Sequence, residues 1–197
     1  MKRLTWLVSL AIAFTGLTAQ AYSSFSSSSG GTGVYILGLD ALRYDHNSTF
    51  SGLGQANSEF TATHLNVKFG YVWGSGFYTG AIYTSGSFAQ TSSGSTNTDN
   101  RTGYGVTLGY YNSGWHIAGS YLINSTYTLY NNNSFTNGSS YVGDFGYTAV
   151  VAGSFFIGGG LAYDSFNWTQ QTVSGVTTSQ NNTQTDLYPV LSLGFQF

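Results

Sequence analysis

Residues 187–197 read LYPVLSLGFQF, with Leu187, Pro189, Leu191, Leu193, Phe195 and Phe197 alternating with Tyr188, Val190, Ser192, Gly194 and Gln196. A repeat of two residues is the period of a β-strand, whose successive side chains leave opposite faces. The final residues of soluble domains usually fray into water. An apolar face kept up to Phe197 therefore asks for surroundings other than water on that side.

The rest of the 197-residue chain sharpens the question. Only 6% of its residues are charged and none is cysteine, against about a quarter charged in an ordinary soluble domain. Lys2 and Arg3 precede an apolar run from Leu4 to Leu17 and then Ala19, Gln20 and Ala21. That order predicts a secretory signal peptide over residues 1–21, too short for a membrane-spanning helix. Beyond it stand three basic residues (Arg43, Lys68, Arg101) and seven acidic ones, a balance of 3 − 7 = −4. So sparse a set of cations offers no footprint for nucleic acid. Without cysteine, stability must come from backbone pairing and packing.

Residues 22–32 (YSSFSSSSGGT) carry no periodicity and are expected to be a flexible segment. Eight stretches with alternation or strong β composition follow, near residues 33–44, 60–71, 77–87, 102–111, 115–125, 141–151, 155–164 and 187–197. Short Gly-containing links fall at 72–76, 112–114 and 152–154, and long polar ones at 46–59, 88–101, 126–140 and 165–184. Long and short in strict turn is the rhythm of an up-and-down meander whose two rims differ. In the second stretch Leu65, Val67, Phe69 and Tyr71 oppose His64, Asn66, Lys68 and Gly70; in the fourth, Tyr104, Val106, Leu108 and Tyr110 oppose Gly103, Gly105, Thr107 and Gly109.

A soluble sheet would arm its polar face with Lys and Glu. Here that face is Gly, Thr, Ser and Asn with isolated charges, a lining for a narrow interior, while the apolar face ends in aromatic residues at its margins. The expectation is an all-β, transmembrane, antiparallel up-and-down β-barrel of eight strands over residues 33–197, with short periplasmic turns, long extracellular loops and lipid outside. Pro189 lacks an N–H for one rung of the last strand, so a local bulge or gap is expected there.

The signal-peptide pattern, the eight-segment meander and the ending Leu191, Leu193, Phe195, Phe197 resemble the small eight-stranded outer-membrane β-barrel proteins of Gram-negative bacteria, the group that includes OmpX, OmpW and the OmpA barrel. The resemblance implies residence in the bacterial outer membrane among its lipids. It also implies both termini in the periplasm and recognition of those four terminal residues as an assembly signal by the barrel-assembly machinery.

Several residues bear on chemistry. Asp40, Arg43, His64, Lys68, His116, Asp144 and Asp164 are expected to face inward as a lumen polar network, because a buried charge must be paired. The functional alternative is a constriction that selects small solutes. His64 and His116 lie on separate strands without metal-ligand spacing, so no metal is expected. Asp45, His46 and Ser48 could supply a nucleophile and a base, but neighbours on a strand point to opposite faces, so no enzyme activity is expected. GYGVTLG at 103–109 superficially suggests a phosphate loop but lacks G-x-G-x-x-G spacing, so no cofactor is expected. Inward glycines such as Gly105 and Gly158 leave room for a thin water path or a pocket for a small molecule or lipid. Small outward residues such as Gly119, Ala149 and Gly159 would let two barrels approach as a homo-oligomer. The leading expectation is a structural or interaction barrel that presents polar loops with little or no conductance. A narrow channel is the alternative, and a lipid-modifying enzyme a distant third.

Overall fold

The computed structural model describes residues 33–48, 58–92 and 94–197. The segments expected to be a signal peptide (1–21) and a flexible stretch (22–32) lie outside the described residues. Among the described residues nine strands form one antiparallel sheet: β1 (Val34–Ser48), β2 (Ser58–Val72), β3 (Phe77–Ser92), β4 (Ser95–Asn112), β5 (Trp115–Thr128), β6 (Ser134–Thr136), β7 (Ser140–Ala152), β8 (Phe155–Val173) and β9 (Val176–Gln196). Each long strand pairs with its neighbour in the chain, β5 with β7 across the short β6, and β9 returns to β1, so the sheet closes into a ring. Three-residue β6 bridges β5 and β8 above the start of β7 and fills the wall there. Where eight strands were expected, the described ring has nine, eight long ones and the three-residue β6.

Closure follows from local chemistry. Asn112 and Trp115 pair across Ser113 (φ 51°) and Gly114 (φ 87°), two left-handed positions in a row, as the tightest hairpin turns require. Ser174 (φ 49°) and Gly175 (φ 82°) do the same between Val173 and Val176. That second turn corrects a sequence expectation, since residues 165–184 are no loop but the tall hairpin of β8 and β9. The expected loop at 88–101 is likewise strand, β3 running to Ser92 and β4 starting at Ser95. Polar Asn/Ser/Thr strands above an apolar belt have the composition of loops, which hid them.

Alternation of faces is strict where the register is regular. In β4 Arg101, Gly103, Gly105, Thr107 and Tyr111 are buried while Tyr104, Val106, Leu108 and Tyr110 are exposed. One bulge re-aims a strand. Pairing passes from Tyr104↔Asn124 to Gly105↔Leu122, leaving Ile123 over, and above it the inward residues of β5 become Ser125 and Tyr127.

Pro189 produces no bulge, for the ladder runs unbroken through Gly160↔Val190, Leu161↔Pro189 and Ala162↔Tyr188. The gap lies on its other side. Tyr35 and Phe197 exchange both backbone bonds, and Gln196 donates to Ser154 on the β8 side. Odd residues of β9 therefore turn their N–H groups toward β1, and even ones toward β8. Pairing with β1 stops at Ala41↔Leu191, one rung before Pro189 would have had to donate.

Candidate functional site

Buried side chains lie in successive layers inside the barrel. At the end where β1 begins and β9 finishes, Ile36, Val72, Tyr78, Tyr111 and Phe156 form an apolar cluster, flanked by Val34 and Val150. Above it Lys68 of β2 places its Nζ 2.8 Å from Asp40 Oδ2 of β1 and 2.9 Å from Asp144 Oδ2 of β7. His116 Nε2 lies 3.3 Å from the other Asp144 oxygen, and its ring stacks on Tyr111 at 5.2 Å. Burial strengthens such a pairing and also makes it obligatory, because an unpaired charge there would lose its hydration with nothing in return.

A second ionic layer sits higher. Arg101 of β4 is fully buried; its Nη2 lies 2.6 Å from Asp164 Oδ2 of β8 and its Nη1 2.7 Å from Asp186 Oδ2 of β9. The guanidinium lies between two rings, with its carbon 3.9 Å from the Phe166 centroid and 5.2 Å from that of Phe88, an arrangement suited to a planar cation. The Tyr188 hydroxyl donates to Asp164 at 2.9 Å, and the His64 ring stacks on Tyr188 at 3.9 Å. Ile82, Leu122, Phe135, Val142, Phe166 and Trp168 pack beside this layer.

Of the residues singled out in the sequence, Asp40, Lys68, His116 and Asp144 meet in the lower layer, and His64 and Asp164 in the upper one. Arg43 does not join them. Its side chain is 70% exposed and its Nε contacts Asp45 at 3.4 Å outside the barrel, because Arg43 stands three residues from inward Asp40 and so on the opposite face. Arg101 and Asp186 take the place in the upper layer that sequence reasoning missed, both having been assigned to or beside polar links. Asp45 also accepts from Thr61 Oγ1 at 2.8 Å. His46 and Ser48 fall within β1, and their side chains lie outside the described residues.

His64, Asp164 and Asp186 bring three ligand-type atoms within 4.8 Å of one another. Arg101 already supplies the cation between those carboxylates, so the trio is an ion-pair network. Two of the inward glycines stand where neighbouring backbone comes close. A Cβ on Gly105 would meet the Tyr121 carbonyl, and one on Gly158 the Tyr147 carbonyl and Thr148, so these positions mark close backbone approach.

The outer face is the reverse of a soluble surface. Leu37, Val106, Leu108, Ile117, Phe145 and Leu161 are exposed in a band around the barrel. On one side of the band stand Tyr35, Trp73, Phe77, Tyr110 and Trp115; on the other stand Tyr83, Tyr104, Tyr121, Tyr141 and Tyr163. Within the second row Tyr83 pairs directly with Tyr104, and the rings of Tyr121 and Tyr141 lie 5.5 Å apart.

Compared with known proteins, the chain matches no protein-family model and no curated protein. The solved translocator domain of autotransporter NalP from Neisseria meningitidis is similar over 94% of this chain and 70% of that chain, at 13% identity and a TM-score of 0.39. The likeness is too slight to carry an argument. The class of protein, a closed antiparallel β-barrel, rests on the strand register alone.

Proposed function

We propose that this chain is an integral β-barrel of the bacterial outer membrane, and that it acts as a structural and interaction barrel with little or no conductance. The observation that carries the reading is the inversion of faces. Lys68, Arg101, Asp144 and Asp164 are buried and paired inside the wall, while large apolar side chains form an exposed belt bounded by aromatic rows. Soluble monomers rarely show a contiguous apolar patch beyond a few hundred Å², whereas a lipid-facing barrel needs such a belt with aromatic girdles. In this reading the end that carries the two chain termini of the barrel faces the periplasm. The tall β3–β4 and β8–β9 hairpins then stand outside the cell, and the barrel-assembly machinery reads Leu191, Leu193, Phe195 and Phe197.

The filled lumen supports a closed barrel over a channel, since an apolar cluster and two ionic layers lie across it in series. We assign no catalytic residue, cofactor or metal. Purified protein reconstituted in planar bilayers is expected to give no stable unitary currents. Steady currents of uniform size, present with wild-type protein and absent from mock preparations, would overturn the closed reading.

A further inference from the structure

We propose that the rim vestibule between the tall hairpins and the upper ionic layer binds a single neutral pyranose sugar. The cavity holds about 220 Å³, below the roughly 300 Å³ at which pockets begin to suit drug-sized ligands. It therefore fits one small ring and not an extended chain. Phe60, Phe88, Tyr127 and Tyr130 give it aromatic walls. The electron-rich face of such a ring attracts the weakly positive C–H groups on the apolar face of a sugar.

The polar half of the lining is equally selective. Gln90, Asn97 and Gln184 bring carboxamides, which both donate and accept, as hydroxyl groups do. Asp99 is held in place from two sides, its Oδ2 accepting from the Tyr127 hydroxyl at 2.9 Å and its Oδ1 from the Tyr130 backbone N–H at 2.9 Å. Burial, and then that bond to Asp99, hold the Tyr127 phenol above its ordinary range, so it stays a donor. Each carboxylate oxygen keeps a lone pair for a sugar hydroxyl.

Charge excludes the main rivals. No Lys or Arg lines the vestibule, and Arg101, beneath Phe88, commits both terminal nitrogens to Asp164 and Asp186. A phosphate or carboxylate ligand would meet only the negative Asp99. A metal cation would find a single carboxylate there, already donated to twice.

The test uses the full chain folded in a zwitterionic detergent free of sugar. Saturation-transfer NMR with methyl glycosides of glucose, galactose and N-acetylglucosamine is expected to show transfer to the ring protons of at least one. Tyr130→Ala, which keeps the backbone N–H, and Asp99→Asn are each expected to weaken it about fivefold or more, with heat-modifiable gel mobility unchanged. Transfer to none of the three overturns the proposal, as does transfer unaffected by both variants. Saturable binding of inorganic phosphate or calcium at the vestibule in place of sugar overturns it too. None of these outcomes bears on whether the barrel spans a membrane or conducts, so the two readings fail separately.

Discussion

Lys68 and Asp144 stand on opposite walls of the barrel, four places apart in a ring of eight long strands, and their side chains meet 2.9 Å apart. Arg101 and Asp186 do the same from β4 to β9, at 2.7 Å. The two contacts tie different pairs of strands across the lumen, so the cylinder is braced in more than one direction, and Lys68, Asp144 and Arg101 are buried where they do so.

Lys68→Met leaves the buried carboxylates of Asp40 and Asp144 without their shared cation, an expected loss of about 3–5 kcal/mol. Adding Asp40→Asn and Asp144→Asn should restore most of it, because neither buried carboxylate then remains without its cation. Urea unfolding of the three proteins from detergent micelles, followed by gel mobility, checks the order. A triple variant less stable than the single one would contradict it.

Leu108 lies midway along the exposed belt, opposite Thr79 on one side and Gly119 on the other. Leu108→Arg is expected to cost about 2–4 kcal/mol in folding into lipid vesicles. Thr178→Arg, on the exposed β8–β9 hairpin, should cost close to nothing. Equal effects at the two positions would count against lipid facing this belt.

Pro189→Val supplies the N–H that faces β1 and should add a rung beyond Ala41↔Leu191, worth about 1 kcal/mol. Hydrogen exchange at Arg43 is the readout. It should slow in the variant while exchange at Ala162, whose N–H faces β9 in the unbroken β8 ladder, stays the same.

Phe197 exchanges two backbone bonds with Tyr35, and its ring stacks on Tyr35 at 6.1 Å. Phe197→Ala keeps the backbone bonds. It should lower the amount of barrel assembled in the outer membrane of living cells far more than the yield of refolding in detergent. A parallel fall in both would mean that the ring acts through stability and not through recognition.

Period-two alternation made the long strands legible, since an exposed apolar side and an inward polar side set opposite chemistry on neighbouring residues. It failed where no belt exists. Residues 95–101, STNTDNR, carry inward Asn97, Asp99 and Arg101 at every second place, but the residues between them are also polar, so no contrast marks the strand. Asp164 and Asp186 face each other in register, a pairing that calls for a cation, yet only the structure shows that Arg101 reaches both. Arg43 could have been excluded by parity with Asp40. Tyr127 could not have been placed, because the leftover Ile123 reverses the faces of β5 above it.

The joint between β1 and β9 spans only residues 35–41 of β1, whereas β8 and β9 are laced from Phe155 to Val173. In mechanical terms the cylinder has one short weld, set at the end that bears Tyr35 and Phe197, and an unwelded edge above it. Under a prising load it should part there first and unroll as an intact ribbon of hairpins. Holding the cylinder shut then falls to the ionic struts inside as much as to the seam.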